Sequence, residues 1–122
     1  MSQDTAFEPV FQKLKNLLQP YQEQLSVQED QPGIYSLETV SRSFRGRPLF
    51  FGSAQVKKNY VSFYLMPVYV FPDLLVDLPS SLKKRMQGKS CFNFKHLEEI
   101  PLADLEDFIR LGFERYQQEG LL

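Results

Sequence analysis

Residues 57–71, KKNYVSFYLMPVYVF, constrain the fold more than any other stretch of the chain. Beyond two leading lysines the stretch carries no charge, and β-branched and aromatic residues dominate it. Such side chains suit a pleated surface packed by neighbours. Counted in twos, Val61, Phe63 and Leu65 fall on one face and Tyr60, Ser62, Tyr64 and Met66 on the other. The first face reads as dry core. The second carries hydroxyls that need partners or water. The expectation is a central strand of an antiparallel sheet, with one face packed and the other lining something.

The chain has 122 residues, which suggests a single domain over 1–122. At 43% hydrophobic and 14% aromatic it can bury a core without covalent staples. Cys91 is the single cysteine, so no internal disulfide is available and a reducing cytoplasm is the expected location. No apolar run approaches a membrane span. The start MSQDTAFEP lacks a basic region and an apolar segment, so no signal peptide is expected. The net charge of −1 conceals an asymmetry: residues 42–95 hold ten Lys and Arg against Asp73 and Asp77, a balance of +8, and the remainder balances at −9. A basic centre of this kind is either a solvated surface or the side that meets an anionic ligand or partner.

Thr5 and Glu8 fit a capping box, which would place Pro9 in the first helical turn, where its missing N–H costs nothing. Phe7, Val10, Phe11, Leu14, Leu17, Leu18 and Tyr21 then form one apolar helix face, ended near Leu18 by Pro20. Alternation over 24–28 predicts a strand. Pro32-Gly33 predicts a type II turn into a returning strand over 34–39. A basic loop over 40–47 precedes a strand over 48–56, with Gly52 as a bulge or close-approach point. Short helices are expected over 72–78 and 80–86, the second capped by Ser80 and stopped by Gly88. A last strand over 90–94 and a closing helix from Pro101, with Leu102, Leu105, Ile109, Phe113 and Tyr116 inward, complete the chain. Together these predict an α+β two-layer sandwich: a mostly antiparallel five-stranded sheet with the first and last helices packed on one face.

Several runs of this sequence resemble the YdhG-like family, a group of small bacterial domains of unassigned function. They are Pro32-Gly33 before YSL at 35–37, GRPLFFG at 46–52, KNYVS at 58–62, LMPVY at 65–69, LKKRMQGKSCFNF at 82–94 and Gly112-Phe113. The resemblance spans residues 25–113 and is densest at 84–94. It implies a cytoplasmic α+β domain and, through relatives described as frataxin-like intracellular iron chaperones, an alternative role in iron delivery. Iron favours oxygen ligands. The first helix offers only Glu8, and the closing helix offers Asp104 and Asp107 on one face, with Glu106 beside them and Glu98 and Glu99 just before. Acids in a first helical turn are ordinarily complements to the helix dipole.

Gly88-Lys89-Ser90 copies the end of a phosphate-binding loop, but position 83 is Lys83 where that motif needs Gly, and the flanking elements are in the wrong order. Cys91 and His96 are the only Cys and His; five apart, they fall on opposite faces of a continuing strand and are too few for a zinc site. The remaining constellation is basic and aromatic: Tyr60, Tyr64 and Met66 from one strand face, with Lys84, Arg85, Lys89 and Phe92 from the dense motif. Cations and amphipathic rings around a concavity suit a small anionic ligand or a protein partner, and also single-stranded nucleic acid. The ordinary structural reading is that the cations lie over the sheet edge and the tyrosines cap its core. The expectation is a non-enzymatic binding domain with no cofactor, iron entering only under the alternative role.

Overall fold

The structure, a computed structural model, describes the backbone of residues 2–122 and the side chains of residues 7–122. Helix α1, Ser2–Leu18, runs into a 3-10 turn, Gln19–Tyr21. Strands β1, Ser26–Gln31, β2, Ile34–Glu38, β3, Phe50–Val56, and β4, Val61–Leu65, follow. Then come α2, Pro67–Val70, a 3-10 turn Pro72–Leu75, α3, Ser80–Lys83, β5, Cys91–Phe94, a second such turn Leu97–Glu99, and α4, Leu102–Gln118. The five strands form one sheet in the order β1-β2-β3-β4-β5, and every neighbouring pair is antiparallel. This is the expected α+β architecture, with β3 in the middle and β4 an interior strand between β3 and β5.

Local chemistry explains the element ends. Gly33 has φ 83°, the left-handed value that a Pro-Gly type II turn demands at its third position, and Gln31 pairs with Ile34 across it. Between β2 and β3 the register slips at Leu37/Glu38, so Gly52 lies at a bulge. It is also a close-approach point, since a Cβ there would sit 3.1 Å from Leu18 Cδ2.

Several expectations change, among them the short helix expected over 72–78, which is the 3-10 turn Pro72–Leu75. Helix α1 begins at Ser2 rather than at Thr5, so Pro9 stands inside the helix, where its missing N–H removes one intrahelical bond. The Thr5 side chain lies outside the described residues. The first strand begins two residues later than expected and reaches Gln31. Strand β4 stops at Leu65, because Pro67 cannot donate to a ladder and instead opens α2; Met66 N–H turns to the Phe51 carbonyl, 2.9 Å away. Finally, the helix expected over 80–86 is one turn long and follows Pro79, with no side-chain cap from Ser80. Residues 85–87 extend instead and pair with 91–93: Asn93 N–H donates to Arg85 O at 2.9 Å and Gln87 N–H to Cys91 O at 2.7 Å. Gly88 does have φ 82°, but as the turn of this small hairpin and not as a helix stop.

The core lies between one sheet face and a helical layer. Register puts Tyr35, Ala54, Phe63 and Phe92 in one row of that face, and all four are buried. Val61, Leu65 and Phe94 join them, as the alternation of β4 requires. Leu14 and Leu18 of α1 and Leu105, Phe108, Ile109 and Tyr116 of α4 close the core from above. Phe92 meets Phe108 edge-on at 5.8 Å, and Phe51 meets Phe113 edge-on at 5.9 Å. Helices α1 and α4 therefore share one sheet face, and α2 and α3 pack on α4. Among the described residues, no helix is long and apolar enough to cross a membrane.

Candidate ligand-binding site

The opposite sheet face carries no helix. Pairing fixes its rows: Ser36, Ser53, Tyr64 and Cys91 in one, Ile34, Gln55, Ser62 and Asn93 in the next, and Lys57 with Tyr60 at the turn. The short serines Ser53 and Ser62 form its floor and are buried beneath longer neighbours. Ser62 Oγ donates to Asn93 Oδ1 at 2.8 Å, and Cys91 Sγ donates to the same oxygen at 3.4 Å. Gln55 Nε2 donates to Ser53 Oγ at 3.1 Å. Lys57 reaches inward along this face: its Nζ donates to Gln55 Oε1 at 2.8 Å and lies 5.9 Å from the centre of the Tyr64 ring. A cation on an aromatic face is attracted by the ring quadrupole. Neither partner is charged, and the ammonium, at the β3–β4 turn end of the open face, has no ion-pair partner among the described residues.

Carboxylates reach this face from β1 and β2, where Glu38 follows Ile34 and Ser36 in the alternation of its strand. Glu29 of β1 pairs with Ser36 and accepts from Gln31 Nε2 at 3.2 Å. Three strand spacings, roughly 14 Å, separate it from Tyr64.

The basic and aromatic residues singled out in the sequence divide. Tyr60 and Tyr64 stand half-exposed on the open face. Phe92 does not join them: it pairs with Phe63 on the covered face and is fully buried against Phe108. Met66 leaves the alternation, because its backbone is already helical at the start of α2, and it packs against the core. Arg85 is held at 3.3 Å by Glu99, and its Nε is buried without a partner, so packing fixes it in place. Burial pushes the Glu99 carboxyl up, but the N–H groups of Lys95 and His96 and the Arg85 guanidinium outweigh that and hold it below the usual range. The carboxylate accepts those two N–H groups at 2.7 and 3.2 Å. Arg85 and Glu99 thus tie the small hairpin to the turn before α4.

Lys84 and Lys89 are exposed. Ser90 O accepts from Leu65 N–H at 2.9 Å, which puts Lys89 beyond the end of β4 opposite Tyr60. At about 3.4 Å per strand residue, Tyr60 and Lys89 are roughly 17 Å apart along the sheet, too far for one small ligand. Two clefts indent the surface, one between α1 and the strand turns and one between α1 and α4. Neither of these two is lined by Tyr64, Met66 or Lys89.

Lys57 is the residue that sequence reasoning missed, having been assigned to the turn. The signal was its place in the alternation with Gln55 on β3, which puts both on the open face.

The acids on α4 are occupied locally. Ser81 Oγ donates to Asp104 at 2.7 Å, and Arg110 pairs with Asp107 at 3.3 Å. Among the described residues no three of His, Cys, Asp and Glu come together as a metal-ligand set. The oxygen-rich cluster that a carried iron ion needs is therefore not assembled at Asp104 and Asp107. Cys91 turns to Asn93 rather than to His96, so no thiol–imidazole pair forms. Comparison with family models, with curated proteins and with solved structures returned no match.

Proposed function

We propose that this chain is a cytoplasmic binding domain that holds a small anionic ligand on the open face of its sheet, at Lys57 and Tyr64. The placement of the Lys57 ammonium carries the reading. It sits over the Tyr64 ring with only neutral partners, in a face floored by serines and edged by an amide. With Asn93 Oδ1 accepting twice, its amide NH2 is a further donor for an anion, as are the hydroxyls of Tyr60 and Tyr64. A planar anion stacked on Tyr64 would meet a cation and several donors and no carboxylate. The YdhG-like resemblance implies an α+β domain and names no ligand. The arrangement of Asp104 and Asp107 gives no support to the iron-delivery role.

Native mass spectrometry of the purified protein tests the proposal. The expected result is a retained anion that is lost in Lys57→Ala and in Tyr64→Ala and displaced by raised salt, since exposed charges are screened within about 8 Å at physiological ionic strength. Retention unchanged in both variants, or a protein that carries no anion, removes the open face as the site.

A further inference from the structure

The larger cleft lies at the end of the sheet, where the β1–β2 and β3–β4 turns meet residues 8–15 of α1, and it reaches the open face through Ile34 and Lys57. Its volume is about 860 Å³, within the range of sites for small organic ligands. Phe11, Ile34 and Val56 supply apolar lining, and Pro32-Gly33 forms one end. Val56 N–H donates to Gly33 O at 2.8 Å, so the two turns are stitched into one rigid wall.

The charges around this cleft are of two kinds. Lys15 and Asp30 neutralise each other at 2.8 Å, and Lys15 also rests on the Tyr35 ring at 5.3 Å. Lys57 also lines the cleft, and its ammonium donates to the neutral Gln55 side chain. Three charges are left: Glu8 on the helix wall and Lys57 and Lys58 on the turn wall, all exposed and none in an ion pair with another described residue. The two walls are opposite in sign, across a cleft whose lining is mixed polar and apolar.

We infer that this cleft binds a short apolar peptide with free ends, its ammonium toward Glu8 and its carboxylate toward Lys58, with apolar side chains against Phe11 and Val56. A single-signed ligand would satisfy one wall and be repelled by the other. The volume exceeds what a lone amino acid fills, which favours two or three residues. The site borders the one at Tyr64 through Lys57, which lines both.

The test is an amide-resolved NMR titration with the dipeptide leucylphenylalanine, its N-acetyl form and its C-terminal amide. The free dipeptide should shift Gly33, Val56 and Lys58 saturably, and each capped form should bind several-fold more weakly. Glu8→Gln should abolish the preference over the N-acetyl form and leave the preference over the amide. Lys58→Ala should do the reverse. Both residues are exposed, so both variants should fold, which the spectra themselves report. Equal binding of the three forms, shifts centred elsewhere, or no saturable shift at millimolar dipeptide overturns the inference.

Discussion

The two faces of β4 differ in everything except their backbone. Val61, Phe63 and Leu65 point into a helical layer and are fully buried, while Tyr60 and Tyr64 remain half-exposed and Ser62 is covered only by its neighbours. On the covered face the contacts are aromatic and aliphatic, with edge-on rings and close helix packing. On the open face they are hydrogen bonds between short polar groups of adjacent strands. The covered face gains from removing apolar area from water, about 25 cal/mol per Å², and carries stability. Polar contacts near solvent exchange one hydrogen bond for another and contribute little net. They leave donors free for a ligand. Stability and recognition are thus separated by one residue along the chain.

The largest expected effect tests that division on the covered side. Phe63→Ala should cost about 3–5 kcal/mol, the usual range for a fully buried aromatic. An unchanged melting temperature would show that the face is not core. Next comes the helix contact. A Cβ on Gly112 would lie 3.0 Å from Pro67 Cγ, a ring with little freedom to move, so Gly112→Ala should destabilise by about 1–3 kcal/mol through overpacking. Chemical denaturation of the purified variant measures it, and a gain in stability would mean that α2 and α4 can separate.

Smaller still is the tie between Arg85 and Glu99. Glu99→Gln should cost about 1–2 kcal/mol by weakening charge-assisted bonds. Because the folded carboxyl titrates below its ordinary value of about 4.3, this contribution is full above that pH and fades as pH falls through the folded value. The stability gap between wild type and variant should therefore close on acidification. A gap independent of pH would assign the loss to packing. The smallest effect belongs to the exposed end of the motif. Lys89→Ala should change stability by no more than roughly 0.5 kcal/mol and leave anion retention intact. Lost retention in that variant would move the site from Lys57 to the hairpin tip.

Apolar periodicity made most of the fold legible. Val10, Phe11, Leu14 and Leu18 announced α1; Val61, Phe63 and Leu65 announced β4; Leu105, Ile109, Phe113 and Tyr116 announced α4, and all of these are buried, whereas Leu102, expected on the same inward side, is exposed in the first turn of α4. Pro32-Gly33 specified its turn, since φ 83° is open to glycine at little cost. The candidate site was less legible. Tyr60 and Tyr64 were placed on the right face because strand alternation is local. Phe92 was grouped with them by chemical type, which carries no information about facing, and Met66 by an alternation that stops at Leu65.

The sequence by itself determined which residues avoid water and how often they recur, and that suffices for helices, strands and one buried face, because burial is a property of each side chain and its period. Tertiary structure decided what those elements do to one another. It converted residues 85–87 from helix to a strand partner of β5, because backbone groups at a sheet edge seek a ladder. It tied Arg85 to Glu99 and kept Lys57 free of carboxylates. A cation's availability depends on partners distant in the chain, and only the folded arrangement sets those distances.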